Sequence, residues 1–249
     1  HISEETGAPT VIVGFEHPFE APEQPEITAE DVKEADAAIY VISRNSGEGK
    51  DRKAEKGDYY LDDAELANIR FMTEHYQNCI VLLNVGGIID LTELKKIEGV
   101  KALVLVGQTG NIGGYSVADV LTAKTYPSGK LTDTWAKSYD EYPSSATFSY
   151  RNGDLDDEYY SDGIYVGYRY FDTFGVMPLY CFGYGKSYTE FELTTKKVTA
   201  DEETVTVEVE VKNIGDTYPG REVVQVYYSA PNGLIEKPTQ ELAGFAKTK

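Results

Sequence analysis

The sequence predicts an α/β fold, in which a mostly parallel sheet carries helices on both faces, followed by part of an antiparallel β-sandwich. Three continuous apolar runs, near residues 37–44, 79–84 and 102–106, are the first observation, because strands of a parallel sheet are buried on both faces. The second is that helix-like segments separate these runs. The third is a change of period after residue 200, where Val205, Val207, Val209 and Val211 alternate with polar residues, as in a half-buried antiparallel strand.

The elements of the α/β part follow from capping signals and from the period of the apolar residues. Thr28 with Asp31 three residues later predicts a helix N-terminus, and Leu61, Ala64, Ile69 and Met72 have near-helical spacing. In chain order we expect a short strand at Thr10–Val13, a helix from Thr28 to about Asp36, a strand at 37–44, a long helix from about Asp62 to Tyr76, a strand at Cys79–Asn84, a short helix at about Asp90–Ile97, a strand at Ala102–Val106 and a helix at about Gly114–Leu121.

The pattern breaks down between Tyr126 and Thr189, which is rich in Pro, Gly, Tyr and Asp. A structureless connection of this length is uncommon, so we expect an ordered meander on the α/β core, with a strand at Ile164–Phe171. Two strands follow, at residues 205–211 and Glu222–Ser229. An immunoglobulin-like sandwich needs about 100 residues. We therefore expect two domains, an α/β domain at 1–190, incomplete or altered at its start, and a truncated sandwich at 191–249.

Composition argues against several classes of partner. Lys and Arg number 23 and Asp and Glu 42, a net charge of −19, so neither nucleic acid nor an anionic membrane surface is an expected partner. The balance suits a soluble protein that binds neutral or cationic small molecules, and it leaves cytoplasmic and secreted locations both open. Cys79 and Cys181 each lie beside apolar residues and predict small buried hydrophobes. Neither a disulfide framework nor metal-ligand spacing is present, so no metal or cofactor is expected.

The most informative motif is Ser46-Gly47-Glu48-Gly49, directly after the first buried strand. In open α/β sheets ligands bind beyond the carboxyl ends of the strands, and flanking glycines allow close approach of a partner. Glu48 is therefore either a solvated loop residue or a carboxylate presented for chemistry. A second loop, 107–114, could bind phosphate at a helix N-terminus. It lacks the Walker and dinucleotide patterns, so a nucleotide-binding domain is the poorer hypothesis and a tight turn is favoured.

Several segments occur in an order that is more specific than any one of them. They are Val41–Arg52, Val81–Gly87, Ala118–Leu121 with Pro127–Leu131, Gly163–Tyr170, Phe182–Thr189, Asn213–Asp216 and Gly220–Tyr227. Together they resemble glycoside hydrolase family 3, over about residues 30–249, namely its α/β-sandwich domain followed by the start of its fibronectin III-like domain. The chain departs from the family pattern at Thr109, where the family commonly has Glu, and at Lys186, where it usually has Leu.

The resemblance implies a retaining β-glycosidase of the β-glucosidase type, which hydrolyses terminal β-D-glucosyl residues. It implies that Glu48 is the general acid/base, and it suggests that Asp51 and Arg52 bind substrate. The family's nucleophile is an aspartate on a (β/α)8 barrel, which needs about 250 residues by itself. We therefore expect the barrel to be a partner domain of the same protein, and the isolated chain to be inactive. The alternative is a non-catalytic carbohydrate-binding or scaffold fragment, in which Glu48 only contacts sugar.

Overall fold

A three-stranded parallel sheet forms the centre of the first half of the molecule. The computed structural model describes residues 25–44, 51–154 and 156–249. The strands are β1 (Ala38–Ser43), β2 (Cys79–Asn84) and β3 (Val100–Leu105), hydrogen-bonded in the order β1-β2-β3. These strands lie at the three predicted apolar runs. Because they are parallel, their carboxyl ends meet at one edge of the sheet, where the chain leaves β1 at Arg44 and β2 at Val85.

Helix α1 (Asp63–His75) covers one face of this sheet, close to the predicted bounds. It begins with a capping box, in which the Asp62 side chain accepts from the backbone N–H groups of the first turn and the Glu65 carboxylate accepts from the Asp62 N–H. Such reciprocal bonds satisfy N–H groups that have no partner inside the helix. The apolar stripe of the helix packs on the inward side chains of the strands in one buried cluster, formed mainly by Ala38, Tyr40, Ile42, Leu66, Ile69, Met72, Cys79, Val81 and Leu83.

The opposite face of the sheet is covered less completely than the sequence predicts. Helix α2 (Gly113–Leu121) lies on this side and borders, with the sheet, a groove of about 330 Å³. Ile39 and Val41 of β1 point to this face and are each 48% exposed. The prediction of helices on both faces is therefore confirmed, whereas the prediction of strands buried on both faces is wrong for β1.

Two predicted elements take another form because local geometry overrides a weak signal. Thr28 and Asp31 bond each other as expected, but they close one turn and not a helix to Asp36. The backbone N–H of Lys33 donates to the Tyr76 hydroxyl, 2.9 Å away, and not to a helical carbonyl. The predicted strand at Ile164–Phe171 is also wrong. A turn forms at 162–165, where the Tyr165 N–H donates to the Asp162 carbonyl at 3.0 Å, and Gly167, with a φ of 58°, precedes helix α3 (Tyr168–Phe174).

Short elements complete the meander between α2 and the second half. They include 3-10 turns at Tyr139–Glu141 and Ser149–Asn152. Earlier in the chain, between β2 and β3, the predicted helix at Asp90–Ile97 is reduced to a 3-10 turn at Leu94–Lys96. The predicted strand at Thr10–Val13 lies outside the described residues. Cys79 is buried as predicted, whereas the prediction of a buried Cys181 is wrong, because Cys181, one residue after the bridge between Tyr180 and Trp135, is exposed. Within the described ranges no helix is long and apolar enough to cross a membrane.

The second half consists of two antiparallel ribbons. Strands β4 (Phe191–Ala200) and β5 (Val205–Asn213) form one ribbon, and β6 (Val223–Tyr228) and β7 (Glu241–Lys247) form the other. Strands β5 and β6 lie at the two predicted strands, and burial alternates along β5 as predicted but not along β6, while β4 and β7 were not predicted. The ribbons contact the meander through the Lys130–Glu222 ion pair, at 2.8 Å, and through Tyr168, whose hydroxyl accepts from the Leu242 N–H.

Candidate active site at the carboxyl edge of the parallel sheet

The carboxyl edge of the parallel sheet carries the chain segments that flank Glu48. Glu48 itself lies in residues 45–50, outside the described residues. On the N-terminal side, Arg44 extends β1 by one more backbone bond, its N–H donating to the Asn84 carbonyl at 3.2 Å. On the C-terminal side, the Arg52 side chain passes close to Gly87, where an added Cβ would lie 3.9 Å from Arg52 Nε. Both flanks of the predicted catalytic loop therefore lie at this edge.

Arg44 is the most strongly bonded side chain of the edge. Its guanidinium forms a bidentate pair with the Glu65 carboxylate, with both N–O distances 2.7 Å, and the side chains are only 4% and 2% exposed. Burial of an ion pair carries a desolvation cost that excellent geometry and further hydrogen bonds must offset. Here the remaining guanidinium protons donate to three backbone carbonyls, those of Ser43, Asp58 and Tyr60. All five donors of the guanidinium are thus used, which fixes it to β1, to α1 and to the chain near Asp58.

Asp58 is the second centre of bonding. Its carboxylate accepts from Arg52, with the Nη1–Oδ1 distance 3.0 Å, and from the backbone N–H of Lys53, with the N–Oδ2 distance 2.8 Å. Its carbonyl accepts from Arg44 Nε at 2.7 Å. The residue sits in a tight turn in which the Tyr59 N–H bonds the Lys53 carbonyl and the Tyr60 N–H bonds the Glu55 carbonyl. Asp58 therefore joins the chain before Glu48 to the chain after it.

A tyrosine-rich cluster lies beneath the same turn. The ring of Tyr59 contacts those of Tyr60 and Tyr139 edge to face, with centroids 5.2 and 5.1 Å apart. Burial raises the pKa of the Tyr59 phenol far above its ordinary value, and the neighbouring Tyr142 phenol adds to the rise. The Tyr59 carbonyl also accepts from the Asp90 N–H at 2.8 Å, which ties the turn to the segment after β2. The turn thus stands on a buried support and carries a phenol that stays protonated at neutral pH.

The predicted site residues occupy different environments. Asp51 is exposed at the start of the second described range. Arg52 is 17% exposed in its side chain and is engaged with Asp58, and its Nη2 is buried without a partner among the described residues. Contact of either residue with sugar stays a prediction. Within the described ranges no group of three or more His, Cys, Asp or Glu side chains could hold a metal ion.

The residues that hold the loop flanks were not predicted from the sequence. Neither Asp58 nor Glu65 belongs to a predicted site, and Arg44 is only one residue of the Val41–Arg52 motif. One signal was available for Glu65, because Asp62 with Glu65 three residues later is a capping-box pattern before an apolar run. The contacts of Asp58 depend on the turn at 53–60 and have no signature of their own.

Comparison with known proteins gives a consistent set of relatives. A family model described as "Glycosyl hydrolase family 3 C-terminal domain" matches residues 4–168. Beta-glucosidase A of Butyrivibrio fibrisolvens is 40% identical, over 90% of this chain and 31% of the relative. A beta-glucosidase of Ruminococcus albus is 41% identical, over 86% of this chain and 22% of the relative. The structure of beta-glucosidase 3B from Thermotoga neapolitana in complex with glucose superposes with a TM-score of 0.81 and 44% identity, over 86% of this chain and 30% of that one. The chain therefore spans less than a third of the length of these relatives.

Proposed function

Because the chain belongs to the glycosyl hydrolase family 3 C-terminal domain family, we propose that it supplies the general acid/base of a retaining β-glucosidase and that Glu48 is this residue. The relatives named above are β-glucosidases, and the resemblance of the Ser46–Arg52 motif assigns the acid/base to its glutamate. The observation that carries the proposal is the anchoring of both loop flanks at the carboxyl edge, the edge at which open α/β sheets bind ligands.

The proposed reaction has two steps. In the first, a carboxylate of the barrel domain attacks the anomeric carbon as the glycosidic C–O bond breaks, and the Glu48 carboxyl donates its proton to the departing oxygen. In the second, the Glu48 carboxylate takes a proton from water as the water oxygen attacks the anomeric carbon and the nucleophile leaves. One water is consumed, one glucose is released, and both carboxyl groups return to their starting states. The two carboxyl groups of such a pair lie about 5–5.5 Å apart, so Glu48 must act across a domain boundary.

Asp51 and Arg52 are proposed to contribute to substrate binding from the same loop. Asp51 is exposed and free to meet a sugar hydroxyl delivered at this edge. For Arg52 the bond to Asp58 favours a role in which Nη1 holds the loop, while Nη2 is buried and has no partner among the described residues. No cofactor enters this mechanism. The substrate class is a β-glucoside or a β-linked oligosaccharide.

The domain division is proposed as 1–190 for the α/β domain and 191–249 for part of a fibronectin III-like sandwich. The boundary falls directly before β4. The two ribbons face each other across a groove of about 480 Å³, which is lined by the alternating valines of β5 and by Val224 and Val226 of β6. Apolar faces that oppose each other in this way are typical of β-sandwiches.

Substitution of Glu48→Gln in the full-length protein tests the function. For a poor leaving group such as cellobiose, kcat/KM is expected to fall by about 10²–10⁴, because no proton reaches the departing oxygen. For an activated aryl β-glucoside, which needs no such proton, kcat/KM is expected to change little. Glu55→Gln, an exposed glutamate of the following segment, is the matched control.

Azide gives an independent readout of the second step. In Glu48→Ala, azide can attack the glycosyl-enzyme without a base. Turnover of the activated aryl β-glucoside should therefore recover when azide is added, and a β-glucosyl azide should form. Unchanged hydrolysis of cellobiose by Glu48→Gln would contradict the assignment. The isolated chain is expected to be inactive on aryl glucosides, since the nucleophile belongs to the barrel. If the isolated chain binds cellobiose, and Glu48→Gln leaves the activity of the full-length protein intact, the non-catalytic alternative holds.

A further inference from the structure

Three hydrogen bonds reach Asp58 from the two flanks of residues 45–50. From the N-terminal flank, Arg44 Nε donates to the Asp58 carbonyl at 2.7 Å. From the C-terminal flank, Arg52 Nη1 and the Lys53 N–H donate to the Asp58 carboxylate, at 3.0 and 2.8 Å. Both flanks of the segment that contains Glu48 therefore bond to the same residue.

The N-terminal half of this connection is rigid for reasons that do not involve Asp58. Arg44 is held by the bidentate bond to Glu65 of α1 and by its backbone bond to β2, and its side chain is 4% exposed. In the C-terminal half, the Arg52 guanidinium and the Lys53 N–H both donate to the Asp58 carboxylate, whereas the Lys53 carbonyl is held separately by the Glu55 and Tyr59 N–H groups. Loss of the carboxylate would therefore free the Arg52 side chain and the Lys53 N–H, and leave the N-terminal flank in place.

Glycines on both sides of Glu48 make this difference consequential. Gly47 and Gly49 impose little conformational restriction on the backbone next to Glu48. The position of Glu48 should therefore depend more on where the two flanks hold the chain than on the conformational preferences of the loop residues. Proton transfer in a transition state needs closely defined geometry, and a displacement of about 1 Å can cost about a hundredfold in rate.

We propose that Asp58 is a positioning residue for proton donation by the acid/base, acting through Arg52 and Lys53 on the C-terminal flank of the catalytic loop. This inference rests on the proposed role of Glu48. Asp58 does not contact substrate in this scheme, and its carboxylate neither gives nor takes a proton during the reaction. Its effect on catalysis falls on the step that needs a well-placed acid.

The experiment compares kcat/KM for two substrates in the full-length protein carrying Asp58→Asn. Methyl β-D-glucopyranoside has a poor leaving group, and 2,4-dinitrophenyl β-D-glucopyranoside has one that departs without protonation. We expect the first kcat/KM to fall on the order of tenfold to a hundredfold and the second to fall less than about threefold, since only the first requires the acid. The ratio of the two values is independent of the fraction of folded enzyme, so partial misfolding does not obscure it.

Two further variants complete the design. Asp63→Asn is the matched control, because Asp63 also pairs with a cation of the same segment, Lys56, at 2.6 Å, but both side chains are more than half exposed. The ratio should stay at the wild-type value in this variant. Asp58→Glu keeps the charge on a longer side chain and should restore part of the lost ratio. It also serves as the second variant if Asp58→Asn does not fold.

The outcomes separate the two proposals. If Glu48→Gln changes the substrate ratio and Asp58→Asn lowers both substrates equally or neither, the positioning role is overturned and the function stands. If Glu48→Gln itself leaves the ratio unchanged, the proposed function fails. A changed ratio in Asp58→Asn, with the wild-type ratio in Asp63→Asn and partial recovery in Asp58→Glu, supports the inference.

Discussion

Substitution of Arg44→Met is expected to lower the free energy of unfolding of the chain by about 3–5 kcal/mol, the range found when one partner of a buried ion pair is removed. The Glu65 side chain, which is 2% exposed beside Arg44, would keep only the Asp62 N–H as a donor to its carboxylate. It also removes the guanidinium donors from the Ser43 and Asp58 carbonyls. The Tyr60 carbonyl is affected less, because it still accepts from Gly57.

The double variant Arg44→Met with Glu65→Leu separates the charge from the hydrogen bonds. Without the carboxylate, no uncompensated charge stays in the core, so the loss should be smaller than for Arg44→Met alone. It should not vanish, because two carbonyls lose a donor, at about 1 kcal/mol each, and the helix loses half of its capping box. We therefore expect the double variant to be about 2 kcal/mol less stable than the wild type.

Urea unfolding followed by far-ultraviolet circular dichroism measures both values. With a slope of about 3 kcal/mol per M, a loss of 4 kcal/mol moves the midpoint by about 1.3 M. Glu93→Gln, which breaks the exposed pair with Lys96, is the control and should change stability by less than about 0.5 kcal/mol. A loss below about 1 kcal/mol for Arg44→Met, or a double variant less stable than Arg44→Met, would refute the reasoning.

Two other predictions concern buried groups outside the ion pair. The raised pKa of Tyr59 means that the unfolded state loses the phenol proton first as pH rises above about 10, so stability falls there by up to about 1.4 kcal/mol per pH unit; Tyr59→Phe should flatten this dependence in urea midpoints measured at pH 9–11, and an unchanged slope would contradict it. Burial also raises the pKa of the Cys79 thiol, whereas Cys181 is exposed, so a thiol reagent should label one cysteine rapidly in the folded chain and the second only in denaturant. Cys181→Ser should abolish the rapid phase, and rapid labelling that persists in this variant would place Cys79 within reach of solvent.

The parts of the fold that were predicted correctly are those in which local and long-range signals agree. The apolar runs of β1, β2 and β3 and the capped, periodic stretch of α1 each combine the two. At Thr28 the capping signal was present, but the segment after it lacks an apolar stripe that could pack on the sheet, so only a turn forms. At Tyr168–Phe171 the aromatic residues favoured a strand. A helix forms there instead, and it begins directly after Gly167, which has a positive φ.

In the candidate site, the sequence pointed to the proposed acid/base but not to the residue that bonds the flanks of its loop. Glu48 could be proposed because its glycine neighbours and its place after a strand are features of the sequence, and because the ordered segments around it resemble glycoside hydrolase family 3. The role of Asp58 could not, because it depends on three donors, from Arg44, Arg52 and Lys53, which only the folded turn brings together. Hydrogen bonds to a backbone carbonyl leave no trace in the identity of the residue that provides it.

The bonding of Asp58 to both flanks has a consequence for how residues 45–50 can vary. Because Arg44 and Arg52 bond the same residue, the two ends of the intervening segment are held together by bonds that its own sequence does not form. The entropy of closing such a loop grows slowly, by about 0.6 kcal/mol for each doubling of its length. Insertions and exchanges between the two arginines should therefore be tolerated thermodynamically. The carboxyl edge of the sheet can therefore carry loops of different length and sequence. Changes in substrate specificity could accumulate in these loops without loss of the fold.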